Sequence, residues 1–251
     1  MRLVRYKQYH QAHYGLVEDD QVRPMIGDPF GSYELGDDLH PLADLALLAP
    51  VQPRQILAVG LNYRSHLQDR PVPQKPELFL KPPSAVVGAG DAIVLPPDAR
   101  DTHAEGELVI VIGQRAHRVS PAAAMAAVFG FTIGNDVSER TWQQEDRQWW
   151  RAKGSDTFAP LGPAIVTDLD WRTLDLTTTI NGETVQQGSA ADLIFDIPTI
   201  VSFASHYVTL APGDVIYTGT PGHTRTLHPG DTVAITVPGI GTLENQVCRA
   251  D

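Results

Sequence analysis

Glu105 and Glu107 stand two positions apart at the mouth of an apolar run, Leu108-Val-Ile-Val-Ile112, which Gly113 closes. Such a run predicts a strand buried on both faces. A strand repeats every two residues, so both carboxylates point the same way from neighbouring pleats. Charges so placed repel unless something positive lies between them, and a divalent cation that prefers oxygen ligands suits the position. A solvated pair of acids at a strand end would share this spacing, so other parts of the chain must decide.

Two further clusters carry usable chemistry. Asp136 stands at the end of a predicted strand over residues 130–134 and opens the sequence Asp136-Val-Ser-Glu-Arg140-Thr-Trp-Gln143. Ser138 is the expected cap of a helix that runs to Trp149 and Trp150 and carries Arg140 and Gln143 on one face. The two tryptophans are expected to pack or to wall a pocket. Earlier in the chain, Asn62 or Ser65 could cap a short helix on which His66 and Asp69 share a face. That helix lies between a predicted strand over residues 55–60 and a proline-rich stretch over residues 70–76, where a segment can move as a lid. Late in the chain, Thr218-Gly-Thr-Pro221-Gly222 reads as a turn whose backbone N–H groups could meet an anion.

The elements that must position these groups follow from composition and pattern. With 251 residues the chain suffices for one large domain, or a main domain with a small appendage. Twenty prolines and 21 glycines favour many short strands and turns over long helices. Residues 1–52 read as a small N-terminal domain of loose strands with a brief helical pattern over residues 42–48, and residues 53–251 as the main domain. Residues 120–128 and 190–207 are the other helical patterns, Pro198 marking a kink or a fresh start. Asn181-Gly182 is a strong hairpin signal. The expected fold class is mainly β (α+β), with few helices.

Composition also excludes. A net charge of −11 with no basic stripe argues against nucleic-acid binding. The single cysteine, Cys248, rules out an intramolecular disulfide and a thiolate zinc cluster. No apolar run is long enough for a membrane span, and residues 1–7 do not read as a signal peptide. A cytoplasmic protein is the expectation.

Four segments in this order resemble the fumarylacetoacetate hydrolase superfamily. They are Gly60-Leu-Asn-Tyr-Arg-Ser-His66, Glu105-Gly-Glu107-Leu, Asn135-Asp136-x-x-x-Arg140-x-x-Gln143 and Lys153-x-x-Asp-Thr-Phe-x-Pro160, with Thr218-Gly-Thr-Pro221 as the late turn. Residues 1–50 resemble the extra domain of some bacterial members. The resemblance implies a mixed β-sandwich roll and a Mg²⁺ or Mn²⁺ ion on Glu105, Glu107 and Asp136. It implies that Lys153 and Gln143 line the site, that Arg140 holds an anionic substrate group and that the Thr220 turn grips a carboxylate. Tyr63 belongs to the implied substrate-binding set, and a homodimer is implied. The lid dyad of many members is His-x-x-Glu, whereas here Asp69 follows His66.

The residue chemistry agrees independently. Three carboxylates without His or Cys select a hard, water-keeping cation, and cationic residues must balance an anionic substrate in an acidic site. The expected activity is metal-dependent chemistry on a small enolisable 2-oxo dicarboxylic acid: C–C hydrolysis, decarboxylation or isomerisation. Dehydration of a 2-keto-3-deoxy sugar acid and a non-catalytic, metal-stabilised protein are the alternatives.

Overall fold

The computed structural model describes residues 1–250. Every residue of the strand Gly106–Ile112 is buried, and its two faces feed two cores. Leu108, Ile110 and Ile112 pack with Leu176, Val233 and Ile235 of a second sheet. Val109 and Val111 pack on the other side with Leu3, Ile56, Leu161 and Val215. Apolar burial on both sides leaves no polar alternation in the sequence.

This strand lies antiparallel between Val128–Asn135 and Val215–Tyr217. The sheet continues one way through Ala159–Val166, Arg2–Gln8, Gln11–Glu18, Gln21–Gly27 and Tyr33–Leu35, and the other way through Ile56–Gly60 and Glu77–Lys81. A second sheet orders Ile93–Leu95, Gly241–Arg249, Thr232–Val237, Asp175–Ile180 and Glu183–Ser189. Val215–Tyr217 runs parallel to Ile56–Gly60, and Ile93–Leu95 parallel to Gly241–Arg249, so both sheets are mixed. The architecture is the mainly β one expected. Asn181 and Gly182 form the anticipated hairpin tip, with φ of 54° and 79°.

Several local expectations are corrected. Residues 42–48 are not helical: a 3₁₀ turn at Leu42–Asp44 gives way to the strand Ala46–Leu48, which pairs with Arg2–Gln8. Pairing to a sheet edge outweighs a weak local helix pattern there. The helix after Ser120 shrinks to Pro121–Ala124 and a 3₁₀ turn. Pro198 marks a fresh start: Asp196 accepts the Thr199 N–H at 2.9 Å and opens the helix Ile197–Tyr207. Ser138 caps nothing. With Glu139 it forms a short strand on Thr102–His103, and the cap is Glu139, whose carboxylate accepts the Trp142 N–H at 2.6 Å. The helix Arg140–Glu145 then ends, and Trp150–Gly154 is a separate turn of helix.

The N-terminal strands join the main sheet through Arg2 opposite Val166 and Leu3 opposite Ile165. No helix among the described residues is long and apolar enough to cross a membrane.

One glycine fixes how closely the sheets approach beside the two glutamates. A Cβ on Gly106 would lie 2.2 Å from Thr178 Oγ1 and 3.1 Å from Ile235 Cγ2. Thr178 is fully buried, so the added methyl has no room to displace it. Gly106→Ala is expected to cost about 1–3 kcal/mol by overpacking, measured by urea unfolding. An unchanged midpoint would show that the sheets are not in contact there.

Candidate active site

The pairing of Gly106 opposite Asn135 brings the start of one strand to the end of its neighbour. The Asp136 N–H donates to Glu105 O at 2.9 Å, and the Glu105 N–H donates to Asn135 Oδ1 at 2.9 Å. These bonds set the Asp136 carboxylate beside the two glutamates. One oxygen from each of Glu105, Glu107 and Asp136 lies within 4.8 Å of the others, and all three residues are buried.

Cations surround the cluster. Lys153 Nζ donates to Glu105 Oε2 and Asp136 Oδ2, both at 2.6 Å. Lys81 Nζ donates to Asp136 Oδ1 at 2.5 Å from the end of the strand Glu77–Lys81. Arg140 donates to Glu105 Oε1, and also to Gln143 Oε1 at 2.9 Å. Glu107 instead accepts the Gly219 N–H at 2.7 Å.

The charges divide accordingly. Burial opposes ionisation of Glu105, but Arg140, Lys153 and His66 hold its carboxyl well below the usual range. Burial and the charges of Asp136 and Glu105 push Glu107 well above that range. Burial drives the Lys81 ammonium down against the pull of Asp136, whereas Asp136 and Glu105 overcome burial and raise Lys153. Glu107 is thus the carboxylate without a cation of its own on it. A donor set of three carboxylates fits a hard divalent ion, Mg²⁺ or Mn²⁺, whose charge would relieve Glu107.

The carboxylates open into a cavity of about 360 Å³, lined also by His66, Phe79, Gln143, Trp149 and Thr220. That is room for a small acid. Trp149 walls the cavity and meets the Phe79 ring edge-on at 5.4 Å between centroids. Trp150, expected to pack, is 71% exposed.

The expected lid dyad does not form. Asp69 is exposed and does not line the cavity. His66 Nδ1 lies 2.6 Å from the Gly222 carbonyl oxygen, and Nε2 points inward, 3.9 Å from Glu105 Oε1. The segment is a single 3₁₀ turn, Arg64–His66, too short to align side chains three apart as an α-helix does.

Other expected residues divide. Tyr63 is buried, bridges to Leu193 by its backbone and does not line the cavity. Lys153, Arg140, Gln143 and Thr220 do line it. The Thr220 hydroxyl donates to Gly106 O and accepts from Gln186 Nε2, both at 2.8 Å, so it ties the sheets together rather than facing a ligand. The late turn meets a side-chain carboxyl group through its backbone, that of Glu107.

Lys81 was not foreseen from the sequence. An alternating reading puts Leu80 inward and Lys81 outward, yet Leu80 is 61% exposed and Lys81 is 2% exposed. The usable signal is that Lys81 shares a strand face with Phe79. Removing one partner from a buried charge cluster is costly. Lys81→Met is expected to destabilise the protein without divalent ions by about 3–5 kcal/mol. Added Mn²⁺ should recover part of that loss in urea unfolding. Equal losses with and without Mn²⁺ would separate Lys81 from the metal-ready cluster.

Comparison with known proteins gives the following. The model of the fumarylacetoacetate (FAA) hydrolase C-terminal family matches residues 55–248, and an Rv2993c-like N-terminal model matches residues 1–50. Protein Rv2993c of Mycobacterium tuberculosis is 47% identical over 234 residues, covering 91% of this chain and 88% of that protein. The human mitochondrial oxaloacetate tautomerase FAHD2A is 41% identical over 189 residues, 72% of this chain and 60% of that protein. The crystal structure of 5-carboxymethyl-2-hydroxymuconate delta-isomerase from Mycobacterium smegmatis superposes with a TM-score of 0.94 at 45% identity, covering all of both chains. Maleylpyruvate hydrolase from Sphingobium sp. SYK-6, in complex with manganese(II) and pyruvate, superposes with a TM-score of 0.84 at 29% identity, again over both whole chains.

Proposed function

The chain belongs to the fumarylacetoacetate hydrolase family, and on that premise we propose that it is a divalent-metal-dependent enzyme that moves a proton within a small, enolisable 2-oxo dicarboxylic acid. Keto–enol tautomerisation and double-bond isomerisation are the two forms of that reaction. The observation that carries the reading is the imidazole of His66, held by a backbone carbonyl rather than by a carboxylate.

The Gly222 carbonyl can only accept, so Nδ1 carries the hydrogen and Nε2 is the basic nitrogen. Nε2 faces the carboxylates and the cavity, where it can take a proton from C3 of the substrate. The same nitrogen returns the proton to the oxygen in tautomerisation, or to a carbon further along in a double-bond shift. Glu105, Glu107 and Asp136 would hold Mg²⁺ or Mn²⁺, which when bound supplies Lewis-acid polarisation of a 2-oxo acid. Lys153 bridges Glu105 and Asp136, and Lys81 meets Asp136, so these buried carboxylates have hydrogen-bonded cationic partners. Arg140 faces the cavity with a guanidinium suited to an anionic substrate group.

Hydrolysis asks more of the lid. Water that attacks a carbonyl must be held and deprotonated by the imidazole, and in the His-x-x-Glu lid of many members a carboxylate orients that ring. Here the Gly222 carbonyl orients the ring through Nδ1, Asp69 faces solvent, and the carboxylate near the ring, Glu105, lies 3.9 Å away on the Nε2 side. Two of the relatives support this choice by name, an oxaloacetate tautomerase and a delta-isomerase, while a third is a hydrolase. The maleylpyruvate hydrolase, with manganese and pyruvate in its structure, supports the metal and the 2-oxo acid class.

The test uses Mn²⁺-loaded protein with oxaloacetate, 5-carboxymethyl-2-hydroxymuconate and acetylpyruvate, followed by absorbance. Enol–keto conversion of oxaloacetate or a shift of the diene is expected, abolished by EDTA and restored by Mn²⁺. His66→Ala should lower turnover by about 10²-fold or more while leaving Mn²⁺ affinity unchanged in calorimetry. Cleavage of acetylpyruvate outpacing both proton-transfer reactions would replace this reading with a hydrolase.

A further inference from the structure

A second hydrogen-bonded chain reaches the site at Arg140. Asp101 Oδ1 accepts from the Thr226 hydroxyl at 2.7 Å and lies 2.9 Å from His103 Nε2. On the other side of the ring, His103 Nδ1 lies 2.7 Å from Thr224 Oγ1. Thr224 Oγ1 then accepts from Arg140 Nη2 at 3.1 Å. His103, Thr224 and Arg140 all line the cavity.

The donor directions along this chain are forced. A carboxylate only accepts, so His103 Nε2 carries the hydrogen that meets Asp101. In the neutral ring Nδ1 is then an acceptor, and the single Thr224 hydroxyl hydrogen points to it. What remains on Thr224 Oγ1 is lone-pair density, which faces the Arg140 guanidinium. A threonine hydroxyl can usually turn either way, but this one is locked as an acceptor toward Arg140. Asp101 is held at its end by Thr226, and His103 also bridges to Thr226 by its backbone.

Arg140 has five N–H donors. Glu105, Gln143 and Thr224 each take one, from both terminal nitrogens, which fixes the plane of the guanidinium. We propose that His103 and Thr224 are positioning residues that aim the remaining donors of Arg140 into the cavity, and so set how tightly the site holds a carboxylate. The inference rests on the reading above, in which Arg140 meets an anionic substrate group.

Calorimetry with oxalate as probe tests it, on full-length protein loaded with Mn²⁺. Thr224→Val keeps the shape and removes the acceptor, Thr224→Ser keeps the acceptor, and His103→Gln disturbs the middle of the chain. Thr224→Val and His103→Gln should weaken oxalate about tenfold, the scale of one hydrogen bond to a charged group. Mn²⁺ affinity and melting temperature should stay near wild type, and Thr224→Ser should restore oxalate binding. Wild-type oxalate affinity in Thr224→Val overturns the proposal, as does failure of Thr224→Ser to restore it. Parallel losses of Mn²⁺ and oxalate affinity also overturn it, because the chain would then be supporting Glu105. Wild-type protein that binds Mn²⁺ and oxalate but leaves oxaloacetate and the muconate untouched defeats the functional reading and leaves the Thr224 comparison standing. Wild-type protein that binds no oxalate removes both.

Discussion

Three carboxylates are kept out of water at the junction of two antiparallel strands, and that costly arrangement shapes its surroundings. Register is what creates it: Gly106 opposite Asn135 leaves Glu105 and Asp136 as neighbours across the ladder, with Glu107 one pleat further in. Buried charge is tolerated only with partners. Lys153 is shared between two of the carboxylates, Lys81 meets Asp136 from a strand on the far side, and Arg140 meets Glu105. Glu107 receives only a backbone N–H, and this uneven compensation leaves the cluster ready for a hard dication.

The turn after Val215–Tyr217 serves several parts of the site at once. Its Gly219 N–H meets Glu107, its Thr220 hydroxyl ties down the backbone of Gly106, and its Gly222 carbonyl orients His66. Two residues on, Thr224 touches Arg140. A displacement of this turn would therefore be felt at the carboxylates, at the imidazole and at the guanidinium together. The Ser65 hydroxyl accepts the Gly222 N–H at 3.0 Å, which fastens the turn to the segment that bears His66.

Much of this was legible in the sequence, for physical reasons. An unbroken apolar run can only be a doubly buried strand or a piece of buried helix, and its length and branching favoured the strand. Period two then set both glutamates on one side, and Arg140 and Gln143, three apart on a helix, do touch. What stayed hidden was decided by tertiary structure. Lys81 is inward because its strand borders a charged cavity, against its own hydrophobic pattern. Gly222 acts through a carbonyl, which no side-chain motif records. His103 and Thr224 meet across 121 residues of chain. The His66–Asp69 pairing failed because spacing of three implies a shared face only on a helix, and one 3₁₀ turn is not enough.

The seam between Arg2–Gln8 and Ala159–Val166 has a further consequence. Family models divide the sequence near residue 50, yet the backbone ladder does not stop there. Excising the leading segment would uncover the end of Ala159–Val166 at Ile165 and Val166, which lose Leu3 and Arg2 as ladder partners and are buried in the intact chain. Such bare borders recruit other chains into register. The leading segment thus acts as a hem for the main sheet, and a shortened version would be prone to stick to its own copies even with every cavity-lining side chain in place.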